Sequence, residues 1–306
     1  MISLVLRRLV QILPVALLVS LVVFLLLHIA PGDPVRIMAG PTATEADIER
    51  VRARLGLDAP LPVQYVQWLG QVVQGNFGES LRSGEPVMEF LPERFVNTVW
   101  LTMVSMAVAL ILGLTGGIVV ASRPGSFQDT SVMIVAVAGL SIPSFWLGLI
   151  LILIFSVRLG WLPSGGGGSW QHIILPAISL GLATSALIAR MVRSSLIEVL
   201  NADYVRTARA RGLKERAILI RHAVPNALIP TITVIGLQFG TLLAGAVVTE
   251  VVFSWPGMGS LLVSAIANRD FPVVQAALLV VSFSFLLVNL LTVLLYAWVD
   301  PRVRLV

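Results

Sequence analysis

Six stretches of this chain run for 21 to 31 residues without a formal charge, histidine being counted as neutral. They are Val10–Ala30, Phe95–Ser122, Thr130–Val157, Leu159–Ala189, Ala223–Thr249 and Phe271–Val299, with the first dozen residues of the fourth reading as loop. About 20 apolar residues in helical conformation cross a bilayer core, so every run is long enough to be a transmembrane helix. A soluble fold would need polar helices to cover them. Only 12% of the 306 residues are charged and 57% are hydrophobic, against roughly 25% and 45–50% in soluble domains. A soluble two-domain enzyme is excluded, and an all-α integral membrane protein with six transmembrane helices is expected. The first run follows Arg7 and Arg8 like a signal peptide but exceeds the roughly 7–15 residues of a signal core. It ends in Ala30-Pro31-Gly32-Asp33-Pro34 with no cleavage site and reads as a retained helix.

Charge asymmetry sets the orientation. With the N-terminus inside, the inner segments hold 13 bases (Arg7, Arg8, Arg123, Arg190, Arg193, Arg206, Arg209, Arg211, Lys214, Arg216, Arg221, Arg302 and Arg304). Against them stand five acids, Asp129, Glu198, Asp203, Glu215 and Asp300, while the outer segments hold 8 bases and 11 acids. Both termini are therefore expected in the cytoplasm. The chain has no cysteine, so disulfides and thiolate chemistry are out.

Two connections are long. In the outer one, Thr44 is placed to cap a helix over Glu45–Leu55 with Ile48, Val51 and Leu55 on one face and Gly56 as the stop. Pro62 then precedes a second amphipathic helix carrying Tyr65, Trp68, Leu69 and Val72, stopped by Gly75. So short a segment cannot bury a core alone, so these helices should lie on the bundle, as a stiffening lid or as a landing surface for an outer partner. Gly165–Gly168 reads as a flexible outer loop between Trp161 and Trp170, whose rings suit the membrane interface. Gly113/Gly117 and Gly236/Gly240 are spaced for close helix approach, and Pro143 and Pro176 are expected to kink their spans.

Polar groups at membrane depth are functional candidates, because leaving them unpaired in hydrocarbon is costly. Ser141, Ser144, Gln238, Thr241, Glu250 and Asn289 are the candidate lining of a solute path, Gln238 and Thr241 sharing one helix face; interhelical hydrogen bonding is the plainer alternative for each. Asn97, Thr102, Ser105, Ser185, Thr231, Thr233 and Thr292 are further uncharged members of the group, in which Glu250 is the only acid near a span. Lys214, the one lysine, does not sit in a phosphate-binding loop. The three histidines, His28, His172 and His222, fall on different segments, so no metal site and no catalytic residue is expected. Nothing points to nucleic acid. The chain shows no energy source of its own.

The inner segment N-A-D-Y-V-R-T-A-R-A-R-G-L-K-E-R-A-I-L-I-R-H-A-V-P begins at Asn201. Asn201 or Asp203 can cap a short arginine-rich helix running to Arg211, with Gly212 at its stop; a second helix should run to about His222 before Pro225 and Pro230 open the fifth span. Anionic lipid headgroups could attract these bases without explaining the pattern. The segment resembles the coupling loop of ABC importer permeases, E-A-A, three residues, G, nine residues, I-x-L-P. Arg206-Thr207-Ala208 stands for E-A-A, Gly212 for the glycine and Pro225 for the proline, while Arg206 and His222 replace the glutamate and the isoleucine.

Further segments extend the likeness over essentially the full length: L-L-H-I-A-P-G-D-P (26–34), G-N-F-G-E-S-L (75–81), L-G-W-L-P (159–163), W-Q-H-I-I-L-P (170–176), N-A-L-I-P (226–230), V-F-S-W-P-G-M-G (252–259) and D-P-R-V-R (300–304). Together they resemble the B-type permease subunit of the dipeptide/oligopeptide/nickel importer family, a family that itself prefers R-T-A, and H-I-A-P-G-D-P and I-M-A-G-P resemble its glutathione branch in particular. The resemblance implies the type I ABC importer permease fold, with residues 1–96 as a first helix plus an extracytoplasmic helical segment and 97–306 as a permease core with its coupling loop at 193–226. It implies a bacterial inner-membrane location and three kinds of partner besides lipid: a second homologous permease, two cytoplasmic ATP-binding subunits that use ATP and Mg, and an extracytoplasmic solute-binding protein. Ala202, Asp203, Tyr204, Arg206, Thr207, Ala208, Arg209, Arg211 and Gly212 would meet an ATPase cleft. The solute would be a di- or oligopeptide, with glutathione or a nickel chelate as alternatives. A stand-alone secondary transporter is the contrasting class, without a carboxylate relay or inverted repeat to support it; an intramembrane enzyme would need a buried nucleophile and base.

Overall fold

The computed structural model describes residues 2–29, 44–46, 49, 52 and 58–299, with side chains except at 2–9, 27, 28, 137 and 296–299. Among these residues the chain is helical apart from turns and one isolated bridge between Glu79 and Pro86. The helices are α1 (Ile2–Ile29), α2 (Leu61–Val73), α3 (Val87–Ala121), α4 (Phe127–Ser141), α5 (Ser144–Leu151), α6 (Ile174–Leu200), α7 (Asp203–Ala210), α8 (Val224–Val252), α9 (Met258–Ala267) and α10 (Phe271–Val299). Four segments, Val87–Ala121, Trp170–Leu200, Glu215–Val252 and Phe271–Leu295, are long and apolar enough to span a membrane, and a fifth is added if the bent pair Phe127–Ser141 and Ser144–Arg158 counts as one span. The apolar part of α1, Val10–Leu26, is shorter than these. Most of the helix expected over Glu45–Leu55, with Gly56, lies outside the described residues, as do Ala30–Pro34 and the segment 300–304.

Two compact units are distinguished: Asn97–Pro256 with the chain from Leu287 onward, and Ile2–Val96 with Gly257–Leu286. In the first, α6 is the central helix, 61% buried over its most apolar window against 33% for α3 and 28% for the span containing α8. Leu101, Met106 and Ala109 of α3, Ala177, Leu180, Ile188 and Val192 of α6, and Leu242 and Ala246 of α8 form its main core. Two glycines allow the close approach: a Cβ at Gly113 would lie 2.8 Å from the Cβ of Ile188, and one at Gly117 2.8 Å from the Ala189 carbonyl. Gly236 does the same for α10, where a Cβ would fall 2.1 Å from Thr292 Cγ2. The expectation from glycine spacing is met at these three positions.

Proline acts differently at each site. Ile142, preceding Pro143, is pushed to an extended conformation (φ −88°, ψ 120°), so the expected span Thr130–Val157 is broken rather than kinked, its halves meeting at 100°. Pro176 does not kink a span. It sits in the first turn of α6 after a 3₁₀ turn over Trp170–Ile173, where its missing N–H leaves no bond unmade. α6 then continues to Leu200, so Arg190 and Arg193 are helical rather than loop residues. The break expected near His222 is absent too: a helical turn at Glu215–Ala217 passes through a π turn at Ile218–Ala223 into α8. The wider i→i+5 ring of the π turn relieves the clash that Pro225 would make in an ordinary helix. Only residues 201–214 therefore separate the two long helices.

In the second unit α2 begins with Pro62 inside its first turn and is followed by Gly75 at φ +81°. Tyr65 donates or accepts a 2.7 Å hydrogen bond with Ser20 of α1, and the Tyr65 and Trp68 rings pack on Phe24 at 5.5 and 5.6 Å. The amphipathic face expected on α2 is thus turned onto α1. Val87 and Leu91 of α3, Met258 and Ala265 of α9, and Val273, Ala276 and Ala277 of α10 share one core. Asp270, buried before α10, accepts from the Ser80 hydroxyl at 2.5 Å and the Leu81 amide at 3.1 Å, which accounts for the ordered G-N-F-G-E-S-L turn. α9 was not expected. Ser260 reaching back to the Gly257 amide at 3.2 Å marks its start, half of a capping box.

Candidate functional site

The elbow between α6 and α8 is built from one buried side chain and a rim of charge. Val205 is fully buried, whereas Asp203, Tyr204, Arg206, Thr207, Arg209, Arg211 and Gly212 are exposed and Ala202 and Ala208 half-buried. The side-chain cap expected from Asn201 or Asp203 is not made. Ala202 occupies the cap position, Asn201 donates instead to the Ile197 carbonyl, and Asp203 begins the helix, where its charge suits the N-terminal dipole. α7 ends at Ala210, one residue early, and Gly212 at φ +78° turns the chain as expected.

Arg209 holds the turn closed. Its guanidinium donates to both Glu215 oxygens, at 2.7 and 3.3 Å, and to the Leu200 carbonyl at 3.4 Å. The bond to Glu215 pushes the Arg209 pKa above its ordinary value. Arg206 pairs with Asp203 at 3.4 Å across an exposed helix turn, a contact of little energetic weight. α7 packs against the π turn 218–223 at the foot of α8, where Ile218 and Ala223 are fully buried. The short helix is therefore seated on the least regular turn of the span that contains α8.

A second polar device, not foreseen from the sequence, ties two helices near the same end. Arg193 of α6 makes a bidentate bond to Asp129 of α4, 2.5 Å from Nε to Oδ1 and 2.7 Å from Nη2 to Oδ2. Asp129 also accepts from the Gly125 amide at 2.9 Å, and its own amide is capped by Ser126 at 3.2 Å. The Ser-x-x-Asp spacing was a readable cap signal; the partner 64 residues away was not.

The candidate path residues scatter along the spans. Ser141 is exposed at the end of α4 and Ser144 opens α5, on either side of the 100° bend. Gln238 and Thr241 do share a face of α8, joined at 2.8 Å, and Asn289 is half-buried on α10. Glu250 is fully buried, and Thr98 donates to its Oε1 at 2.6 Å. Around it Trp255 Nε1 donates to the Asn97 carbonyl at 3.1 Å and Asn97 Nδ2 to the Pro256 carbonyl at 2.9 Å. The turn 253–256 is thus pinned to α3.

The loop Gly165–Gly168, expected to be flexible, is packed onto that same turn. Gly166 donates to the Phe253 carbonyl at 2.8 Å, and a Cβ at Gly165 would lie 2.1 Å from that oxygen. At Gly165 backbone meets backbone, while Gly166 and Gly168 hold φ near +98° and +97°. Gly165→Ala should therefore cost about 1–3 kcal/mol, seen as a lower thermal midpoint of the purified protein. Gly116→Ala, with open space at its Cβ, should be neutral or slightly stabilising.

Long apolar helices and an arginine-rimmed elbow at the end of one of them are the features set against known proteins. Residues 113–305 match the family described as "Binding-protein-dependent transport system inner membrane component", and residues 1–102 match "Binding-prot-dependent transport system membrane comp, N-term". The chain is 47% identical over 304 residues to the "Glutathione transport system permease protein GsiC" of Escherichia coli (strain K12), covering 99% of both chains, and equally so to that of Shigella dysenteriae serotype 1 (strain Sd197). In fold it is similar to a solved chain of the MetNI methionine ABC transporter in inward facing conformations, with a TM-score of 0.61, 22% identity, and 71% of this chain and 99% of that one covered. A second solved relative, from an amino acid ABC transporter with histidines, gives a TM-score of 0.53 at 15% identity, covering 68% of this chain and 94% of that one.

This chain belongs to the family of binding-protein-dependent transport system inner membrane components. It is the permease component of an inner-membrane ABC importer, not an enzyme; in this family ATP hydrolysis resides in separate ATPase subunits.

Proposed function

We propose that the chain imports glutathione and related short peptides, as one of two homologous permeases that pair above two ATPases and receive solute from an extracytoplasmic binding protein. The observation that carries this reading is 47% identity across 99% of both chains with the GsiC glutathione permease. Residues 1–96 act as a first span with an outer segment and 97–306 as the permease core, giving six spans with both termini in the cytoplasm. The count treats α4 and Ser144–Arg158 as one broken span and α1 as another, and the inner surplus of basic residues supports the orientation.

The elbow formed by Ala202, Asp203, Tyr204, Arg206, Thr207, Ala208, Arg209, Arg211 and Gly212 seats in an ATPase cleft. Closure of the ATPase pair, driven by Mg-bound ATP, biases the bundle between inward-open and outward-open states, and the packing of α7 on the 218–223 turn supports transmission through α8. Ser141, Ser144, Gln238, Thr241 and Asn289 supply uncharged hydrogen-bonding groups along the path, while buried Glu250 braces its outer end. Co-expression with the partner subunits and reconstitution with the binding protein tests the reading. ATP-dependent accumulation of labelled glutathione or dipeptide is expected, and accumulation of a nickel chelate but no peptide would overturn it.

A further inference from the structure

Arg190 is a cation within the segment Trp170–Leu200, ten residues before the end of α6, which is about 15 Å of helix. It is exposed, and no hydrogen bond or ion pair engages it among the described residues. It lines a groove of about 460 Å³ between α6 and α8, with Leu187, Met191, Ser194, Leu237 and Gln238 among the other walls. The polar members of this wall are one guanidinium, one hydroxyl and one amide, with no carboxylate. Thr241 lies 2.8 Å from Gln238 Oε1, which leaves Nε2 as the amide's available donor. Three donors therefore face one groove, and the fixed positive charge has no counter-ion among the described residues. A cation set among apolar walls is costly to retain unless an anion pairs with it.

We infer that this groove is an anion subsite on the transport path, in which Arg190, assisted by Gln238 and Ser194, holds a carboxylate of the passing solute. The inference rests on the peptide reading above and names the part of the peptide that the permease itself recognises. A guanidinium pairs with a carboxylate through two parallel N–H···O bonds, and a groove open to solvent keeps that bond weak enough to release the solute. The apolar walls, Leu187, Met191 and Leu237, suit the remainder of a short peptide.

The test uses the assembled permease–ATPase complex. Wild-type uptake of glutathione is measured first; if no peptide is accumulated, the function reading fails and this inference falls with it. Given uptake, Arg190→Gln should lower it at least about tenfold, the worth of one charge-assisted bond, whereas Arg190→Lys should retain most of it. Calorimetry on the nucleotide-free complex without binding protein separates recognition from assembly. Glutathione should bind the wild type at least about tenfold more tightly than its diamide, and Arg190→Gln should erase that difference. Equal binding of both solutes by the wild type, or a difference that survives in Arg190→Gln, overturns the inference. So does an uptake defect confined to vesicles containing phosphatidylglycerol, which would assign the groove to a lipid phosphate. Loss of permease pairing in both Arg190 variants would assign the cation to a subunit contact and also overturn it.

Discussion

Replacing Val205 with aspartate is expected to abolish ATP-driven uptake while leaving the long helices folded. Val205 is the one fully buried side chain of α7, and seating a valine contributes about 1.5–3 kcal/mol. Burying an ionised carboxylate there costs more than that contribution, so an eight-residue helix, too short to persist alone, leaves its seat. Motion of the ATPases then no longer reaches the 218–223 turn. Uptake by the reconstituted complex should fall at least about tenfold, with helicity by circular dichroism preserved. Val205→Ile should change uptake less than about twofold. Wild-type transport by Val205→Asp would mean that α7 is not the coupling element.

The second large effect is expected at the Asp129–Arg193 pair. Asp129→Ala strands the Arg193 guanidinium, whose side chain is 30% exposed against 3% for Asp129. Breaking a buried pair from one side costs about 3–5 kcal/mol, and partial solvation of the arginine reduces this to about 2–4. The loss should show as a marked fall in the thermal midpoint of the detergent-solubilised protein. Removing both groups, as Asp129→Ala with Arg193→Met, should recover much of it, because no uncompensated charge remains. Exchanging the two residues should recover less, since the Gly125 amide bond is made to the carboxylate of Asp129. Equal stability of Asp129→Ala and wild type would contradict the role given to this pair.

The apolar runs and the elbow were legible because both are local. A charge-free stretch of 27 residues has few alternatives to a span, and Gly212 marks a turn whatever surrounds it. Misreadings arose where packing overrides a local signal. Pro225 reads as a stop, yet a π turn just before it lets the helix from Glu215 run through. Four consecutive glycines read as a flexible loop, yet Gly165 and Gly166 lie against the Phe253 carbonyl. α9 was hidden because the ten residues between Gly257 and Asn268, with Ser260 and Ser264 among them, resemble a loop flanking a longer run. The Asp129–Arg193 bond and the unpaired Arg190 emerge only once α6 is seen to continue to Leu200, which places both arginines on a helix rather than in a loop.

Dependence of transport on the ATPase subunits is the most direct test of the whole account. The permease, alone and together with its ATPases and binding protein, should be placed in vesicles across a solute gradient, with and without ATP. Uptake is expected only in the complete assembly with ATP inside the ATPase-facing compartment. Accumulation by the permease alone, driven by an ion gradient, would contradict it.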